Sequence, residues 1–384
     1  MISQTTPTTT YKAAQAVARA VEAHFARHFG KAARKVESSE LAPVPPPQVI
    51  EAMIDVAFWA SLRREEGNSP KISLAYLPAE QSKNPLLFEH KLALTPAILT
   101  KLAPAVEHPG IHLGLYAEGD ELCIWGATSE VPGNCFILEV VEPGLLVIKH
   151  RRTEGFGKFV NVAILKGDQI KVVDERTAGL PDCPAILTSM LGFTAPSTWN
   201  NSMNVLVQLA VAMRAHGRGG SLLVVPSQQD IWRDSILHIG YPVQPSFSGL
   251  SELMRSDAGE RKQSWWMGAL NLAVDRIAGL TAVDGATIIN DQYELIGFGA
   301  KTGRSFNSER VSQIIVTEPI VDNVPMVVHP TQTGGTRHLS AAQFVYDQRD
   351  SIALVASQDG RFTIFAWSPC EEMVHAHRVD SLLI

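Results

Sequence analysis

A short segment near the C-terminal end of the chain has residue types suited to binding phosphate. Gly334 and Gly335 allow the backbone to approach a ligand without a Cβ atom in the way. Residues 336–340 then predict the first turn of a helix, with Thr336 as its N-cap. The N–H groups and positive dipole end of a helix start attract phosphate, and the arginine, histidine and serine side chains in this turn add donors. The segment therefore predicts a phosphate-binding turn.

A carboxylate stands on a second glycine turn, about fifty residues upstream. Asp284 and Gly285 predict a tight turn, and the apolar residues 286–289 that follow predict a buried strand. Taken singly, these residues also have structural interpretations. Asp284 fits an ordinary Asp-Gly turn, Arg337 fits a surface ion pair, and His338 fits a packed histidine at a helix start.

The two segments in this order, Asp-Gly-Ala and then Gly-Thr-Arg-His-x-Ser-Ala, resemble the diadenylate cyclase domain, which joins two ATP molecules into cyclic di-AMP. The resemblance covers about residues 201–367. A predicted helix, a glycine-containing turn at 217–220 and an apolar strand open this region, as they open the family's domain. The resemblance implies a metal-dependent nucleotidyltransferase that binds ATP and acts in second-messenger signalling.

The resemblance also implies a role for each matching residue. The catalytic residues would be Asp284, Arg337 and His338, with Asp284 and His338 holding a divalent metal ion, Mn²⁺ or Mg²⁺. The nucleotide would contact Gly285, Ala286, Gly335, Thr336, Arg337, His338, Leu339, Ser340, Ser357 and Asp359. The family works with two subunits face to face, each holding one ATP, so a homodimer or a higher homo-oligomer is implied.

Forming the new phosphodiester requires a hydroxyl to attack the α-phosphorus in line with the departing pyrophosphate. The protein must orient both reactants and neutralise phosphate charge, and a metal ion held by a carboxylate assists the attack. The residue types found fit these requirements, although they would also fit other chemistry on nucleotides.

Three positions depart from the family's pattern. Val283 stands where many members have histidine before Asp-Gly-Ala. Gln358 and Asp359 follow Ser357 where many members have two glutamates. These departures favour an alternative hypothesis, a catalytically weak or inactive module that binds ATP or cyclic di-AMP. In a further alternative, the chain is a structural or interaction protein whose N-terminal half carries the function.

The pattern of the whole chain predicts an α+β protein of two domains. Amphipathic helices at about 11–35 and 48–64, followed by β-hairpins at 111–126, 134–149 and 158–173, predict an antiparallel α+β domain over residues 1–180. Cyclases of the family that the C-terminal half resembles often carry an N-terminal sensor or regulatory domain, so the resemblance implies that role for this half. Residues 195–384 predict the cyclase domain, a mixed sheet flanked by helices. Within it, residues 229–262 predict loops with short helices, and a last strand or a tail ends the chain. Glu371, His375 and His377 in that last segment are interpreted as exposed tail residues rather than as a metal site.

Composition excludes several other classes of protein. The net charge of −6 over 384 residues argues against a nucleic-acid partner. The sequence has no apolar run long enough for a transmembrane helix and no secretory signal, which predicts a cytoplasmic protein without a membrane span. The P-loop pattern and the G-x-S-x-G pattern are both absent from the sequence, so a P-loop NTPase and a serine hydrolase of that type are not expected.

Overall fold

The computed structural model describes residues 9–384 except 120, 154–158, 181, 192–199 and 258. Contacts divide the chain into two compact units. Unit 1 is Met1–Val173 with Ile384, and unit 2 is Asp174–Leu383. Between the two predicted domains, residues 181 and 192–194 lie outside the described residues, and residues 182–191 are described.

The helices of unit 1 follow the predicted apolar periodicity. They are α1 (Lys12–Ala32), α2 (Pro47–Ser61) and α3 (Pro96–Leu102). Along α1, Val17, Val21 and Phe25 recur at helical spacing and are almost fully buried. Pro47 occupies the first turn of α2, where its missing N–H costs nothing. The Thr95 hydroxyl accepts a hydrogen bond from the Ile98 N–H at 3.3 Å and caps α3.

The strands of unit 1 form a mixed, mainly antiparallel sheet in its described residues. They are β1 (Ile72–Tyr76), β2 (Leu86–Ala93), β3 (His112–Glu118), β4 (Glu121–Thr128), β5 (Phe136–Glu142), β6 (Leu145–Arg151), β7 (Phe159–Lys166) and β8 (Gln169–Val172). Their order is β2-β4-β3-β1-β5-β6-β7-β8, with only β1 and β3 paired in parallel. The three predicted hairpins are confirmed as β3–β4, β5–β6 and β7–β8. The apolar faces of α1 and α2 share one core with this sheet.

Unit 2 contains a second mixed sheet in its described residues. Its strands are β9 (Gly220–Val225), β10 (Ile236–Phe247), β11 (Ala286–Asn290), β12 (Leu295–Thr302), β13 (Ile314–Thr317), β14 (Met326–Val328), β15 (Ile352–Ala356), β16 (Phe362–Ser368) and β17 (Met373–Arg378). Its helices are α4 (Ala185–Leu191), α5 (Asn200–Ala215), α6 (Gly249–Arg255), α7 (Ser264–Leu280) and α8 (Thr336–Asp347). The strand order is β10-β12-β11-β9-β15-β16-β17-β13-β14, so the predicted α+β class is confirmed.

The register of the central strands places two glycine turns at one end of the unit 2 sheet. Strands β9 and β11 run parallel, with Ser221 opposite Ala286. The turns that precede them, at Gly219 and at Gly285, therefore lie at the same end of the sheet. Helix α8 shares a core cluster with β9, β11 and β15. The start of α8 is thus held close to both turns.

Several local predictions in unit 2 are corrected by the structure. The predicted loops at 229–262 contain the twelve-residue strand β10 at the edge of the sheet, which carries exposed Leu237 and Tyr241 and includes Pro242 and Pro245. Of the strand or tail predicted for the last residues, the structure has the strand β17, and the predicted exposure of His377 is wrong because its side chain is buried there. Strands β10 and β17 are stabilised by hydrogen bonds to their neighbours in the sheet. Their sequences lack the clear alternation of apolar and polar residues from which a strand is predicted.

Among the described residues, no helix is both long and apolar enough to pass through a bilayer.

Candidate functional site

A cavity of about 200 Å³ in unit 2 brings together the two segments singled out in the sequence. Strands β9, β11 and β12, the turn before β11 and the first turns of α8 form its walls. The lining residues are Ser221, Leu223, Asp284, Gly285, Ala286, Ala300, Lys301, Thr302, Thr336, Arg337, Ser340 and Ala341. Six of the predicted site residues therefore open on one space: Asp284, Gly285, Ala286, Thr336, Arg337 and Ser340.

The backbone at Gly285 sets the position of the carboxylate before it. Gly285 has φ +107°, a conformation that side chains rarely adopt. A Cβ atom added there would lie 2.6 Å from the backbone carbon of Gly299, on the paired strand β12. Only glycine fits this close approach, and it leaves the Asp284 side chain 87% exposed at the cavity.

Lys301 is the nearest charged partner of Asp284. Its Nζ atom donates to Asp284 Oδ2 at 2.6 Å. This hydrogen bond, the positive charge of Lys301 and the more distant charge of Arg337 hold the pKa of Asp284 below its usual value. Asp284 is therefore a carboxylate anion over the physiological range of pH, as a ligand for a cation must be.

The start of α8 presents backbone donors to the cavity. The predicted N-cap is corrected, because the N-cap is Gly335 and Thr336 is the first helical residue. Gly335 has no side chain to occupy the first N–H groups of the helix. The first backbone hydrogen bonds of the helix are accepted by the Gly335 carbonyl, from the N–H groups of His338 at 3.0 Å and Leu339 at 3.3 Å. The preceding N–H groups, those of Thr336 and Arg337, are placed to bind an anion.

The Arg337 side chain lies against the glycine turn before β9. A Cβ atom on Gly219 would lie 3.1 Å from Arg337 Nη1, and Gly219 has φ +70°. This turn therefore leaves room for a half-buried guanidinium group at the edge of the cavity. A guanidinium group at this place can bind phosphate with two parallel hydrogen bonds.

His338 points away from the cavity. Its side chain is only 4% exposed, and its ring packs edge-on against Phe365 with the centroids 6.0 Å apart. Burial lowers the pKa of His338, and the neighbouring arginines lower it further, although Asp359 opposes them. The ring does not line the cavity that Asp284 opens on. The catalytic and metal-binding roles implied for His338 stay predictions.

Ser357 and Asp359 lie in the turn between β15 and β16. The Ser357 N–H bonds the Arg361 carbonyl at 2.9 Å, and Asp359 Oδ2 is 3.2 Å from Arg361 Nε. The intervening Gln358 donates from Nε2 to the Arg218 carbonyl at 3.3 Å. This turn thus contacts the glycine turn that receives Arg337, although neither Ser357 nor Asp359 lines the cavity. Gly335 and Leu339 also lie beside the lining rather than in it.

The cavity suits a hard divalent cation held together with phosphate. Asp284 supplies its one lining carboxylate among the described residues. Mg²⁺ is commonly bound by one or two carboxylates plus substrate phosphates, and Mn²⁺ also prefers oxygen ligands. A single exposed carboxylate facing a phosphate-binding helix start fits this pattern.

Sequence reasoning did not single out Lys301 as a site residue, although the pattern contained a signal for it. Strands β11 and β12 follow each other in the sequence and pair antiparallel, with Ala286 opposite Ala300. Residues just outside such a pair must also lie close together, which brings Lys301 next to the residues before Ala286. Strand pairing therefore locates the cationic partner of Asp284.

Comparison with known proteins identifies a match in unit 1. A family model described as "Probable sensor domain DACNV" matches residues 39–129. The match agrees with the prediction of a sensor-like N-terminal part, and it covers less than half of the chain. No curated protein matches the chain.

One solved structure is similar over part of the chain. It is described as the crystal structure of the hypothetical membrane spanning protein from Bacillus cereus, and it is 13% identical with a TM-score of 0.26. The similarity covers 46% of this chain and 62% of that one, so the chain matches less than two thirds of that protein. A likeness at this TM-score supports no statement about fold or function.

Proposed function

We propose that unit 2 is a diadenylate cyclase, which condenses two ATP molecules into 3′,5′-cyclic di-AMP and releases pyrophosphate. The observation that supports this proposal is the shared cavity. Asp284 and the start of α8 are about fifty residues apart in sequence, and they line one space. A carboxylate facing a phosphate-binding turn is the arrangement that the reaction requires.

Each lining group has a proposed task. The triphosphate binds the N–H groups at the start of α8 and the Arg337 guanidinium group, with the Ser340 hydroxyl as a further donor. Gly285 and Ala286, which expose little side chain, leave room for the ribose or the base. Asp284 would hold Mn²⁺ or Mg²⁺ together with the phosphates, and the ion would neutralise charge and favour loss of the hydroxyl proton.

The small volume of the cavity supports a reaction between two subunits. Sites that enclose a ligand of drug size usually measure at least about 300 Å³. A cavity of about 200 Å³ holds only part of a nucleotide. The rest of the ATP molecule stays accessible, as it must if its 3′-hydroxyl is to attack the nucleotide of a second copy. The proposal therefore includes a homodimer with two cavities face to face.

Unit 1 is proposed to regulate this activity, because residues 39–129 match a probable sensor domain. In this proposal the signal acts on the catalytic rate of unit 2, and ATP is the substrate.

A second candidate function is a module that binds ATP or cyclic di-AMP without turnover. The observation that favours it is the contact of Lys301 with Asp284 at 2.6 Å, since an ammonium group already neutralises the carboxylate that would hold the metal. Val283 and Gln358 depart from the cyclase pattern in the same neighbourhood.

One experiment separates the two functions. The purified full chain is incubated with ATP and Mn²⁺ or Mg²⁺, and cyclic di-AMP is measured by mass spectrometry. We expect product from the parent and from Asp350→Asn, which changes an exposed aspartate in the turn between α8 and β15. We expect Asp284→Asn to lose product while ATP still binds. ATP binding by a parent that makes no product would instead favour the second function, and an Asp284→Asn variant as active as the parent would refute the role of Asp284.

A further inference from the structure

The floor of the unit 2 cavity differs in chemistry from its rim. The charged side chains and most hydroxyl groups of the lining are half-buried or exposed, and they form the rim: Asp284, Lys301, Thr302, Thr336, Arg337 and Ser340. The floor consists of five side chains that are almost fully buried. Four of them are apolar, namely Leu223, Ala286, Ala300 and Ala341, and the fifth is Ser221, which is 6% exposed. A single hydroxyl group therefore stands in an apolar floor.

The register of the sheet places Ser221 in a row of small side chains. Ser221 lies opposite Ala286 on β11, and Ala286 lies opposite Ala300 on β12. Cross-strand partners project from the same face of a sheet, and the two alanines share a core cluster with Ala341 of α8. Because the side chains on both sides are small, they leave the space that the cavity occupies between the sheet and the helix.

The Ser221 hydroxyl makes no hydrogen bond within the part of the chain that the structure describes. It is not sealed in the core, unlike the unpaired hydroxyl of Ser351, so it opens on the cavity. Burying a hydroxyl group without a hydrogen bond costs free energy, and alanine would complete the row at lower cost. A ligand that hydrogen-bonds Ser221 would explain the hydroxyl group at this place.

The function proposed above leaves one part of ATP for the floor. In that proposal the phosphates bind at the rim, where the start of α8 and Arg337 lie. The 3′-hydroxyl must stay accessible to the nucleotide of a second copy, which keeps the ribose near the mouth of the cavity. The base is the remaining part, and its faces fit a floor of alanine and leucine side chains.

From this arrangement we propose that the adenine base occupies the floor and that the Ser221 hydroxyl hydrogen-bonds its edge. The inference rests on the proposed function, since it takes ATP as the ligand. An adenine edge presents ring-nitrogen acceptors and an amino donor, and a hydroxyl group can donate to the first or accept from the second. Ser221 is thus a binding residue for the base and has no part in the chemical step.

The test measures the binding of two probes to the full chain by calorimetric titration. The first is 3′-deoxy-ATP, which lacks the attacking hydroxyl and so cannot react. The second is its abasic analogue, with the same sugar and triphosphate and with hydrogen in place of adenine. We expect Ser221→Ala to weaken binding of 3′-deoxy-ATP by about 3- to 10-fold, the effect of losing one hydrogen bond, and to leave binding of the abasic analogue unchanged. Ser351→Ala, which removes an unpaired buried hydroxyl outside the cavity lining, should bind both probes as the parent does.

The parent protein gives a second measurement that needs no variant. It should bind 3′-deoxy-ATP at least about 10-fold more tightly than the abasic analogue, because the base is removed from water in the floor. Equal affinities of the parent for the two probes, or no binding of 3′-deoxy-ATP, would overturn the proposal. A folded Ser221→Ala variant that binds 3′-deoxy-ATP as tightly as the parent would also overturn it. Equal weakening for both probes would do the same, since it would place the hydroxyl at the sugar or the phosphates.

Failure of the proposed function gives a different result. A parent that shows the expected preference and the expected effect of Ser221→Ala, but makes no cyclic di-AMP from ATP, would support the base site and refute the cyclase. A parent that makes cyclic di-AMP, while Ser221→Ala binds 3′-deoxy-ATP normally, would refute the contact of Ser221 with the base and support the cyclase.

Discussion

The ammonium group of Lys301 lies 2.6 Å from Oδ2 of Asp284, at the mouth of the unit 2 cavity. Both side chains are well exposed, at 48% and 87%. Exposed ion pairs contribute little to stability, so this one is easily exchanged for another partner. Lys301 therefore holds Asp284 ionised and in place until a bound cation competes for the carboxylate.

Removing Lys301 should raise the pKa of Asp284. Its hydrogen bond and charge are the largest causes that depress this pKa, ahead of Arg337. We expect Lys301→Met to move the pKa of Asp284 up towards its ordinary value, and Arg337→Met to move it less. The titration is followed by ¹³C NMR of the carboxyl carbon. Because the folded pKa lies below the unfolded one, any stabilisation by the pair is present at neutral pH and lost on acidification. Equal shifts of the Asp284 pKa in the two variants would contradict the role of Lys301 as the main cause of its depression.

Arg337 and His338 are adjacent in sequence, and their substitutions should have different effects. Arg337 lines the cavity, and His338 packs on Phe365. We expect Arg337→Lys to weaken ATP binding by about 10–100-fold, since it loses a charge-assisted bond worth roughly 1.5–3 kcal/mol. His338→Gln should lower stability and leave ATP affinity within about 3-fold of the parent, the usual scatter for a residue that makes no contact. Calorimetric titration with ATP measures both. A large affinity loss in a folded His338→Gln variant would show that the ring does reach the nucleotide.

Gly285→Ala should destabilise unit 2. The added Cβ atom meets the Gly299 backbone at 2.6 Å, and φ +107° is strained for alanine. The expected loss in the free energy of unfolding is about 1–3 kcal/mol. The matched control is Gly268→Ala in α7, where a Cβ atom meets nothing within 4 Å. It should stabilise the helix by up to about 1 kcal/mol. Urea denaturation followed by tryptophan fluorescence compares them, and an unchanged midpoint for Gly285→Ala would count against the close approach.

His377 should make unit 2 sensitive to acid. Burial, helped by the nearby His375, lowers the pKa of His377 to about 3, and its Nδ1 atom is 2.7 Å from the Thr317 hydroxyl. As pH falls below about 6.5 the unfolded chain takes up this proton first, so stability should fall by up to about 1.4 kcal/mol per pH unit. We expect a shallower decline in His377→Gln.

The control for this prediction is His329→Gln, which changes an exposed histidine of the same unit. Its stability should decline with pH as steeply as that of the parent. Denaturation curves at several pH values between 4 and 7 give the slopes. If the stability of His377→Gln falls with pH as steeply as that of the parent, the inference that His377 is buried in its neutral form is wrong.

The helical spacing of apolar residues and the turn residues between strands were enough to predict most elements of the fold. The strongly periodic α1 and the three hairpins of unit 1 lie close to where the pattern put them. Strand β10 was not predicted, because an edge strand with much of its surface exposed has no apolar alternation to reveal it. For the segment of β17 the pattern left a strand or a tail open, because its histidines have no apolar character in the sequence. Pairing with β16 and β13 makes it a strand, in which His377 is buried.

The parts of the candidate site that are encoded in short sequence motifs could be predicted. Asp-Gly-Ala and the glycine-led helix start located two walls of the cavity. Which way a side chain points from a helix start depends on packing, so the motif alone could not decide between a ligand-binding and a packed His338, and the structure has it buried.

The prolines of β10 have a consequence for how copies of the chain can meet. A free strand edge is a template on which another chain can add a strand, and this one carries exposed apolar groups as well. Proline has no N–H, so Pro242 and Pro245 interrupt the row of donors that an incoming strand would need. Backbone pairing between copies is therefore weakened along this part of the edge, which disfavours aggregation by strand addition.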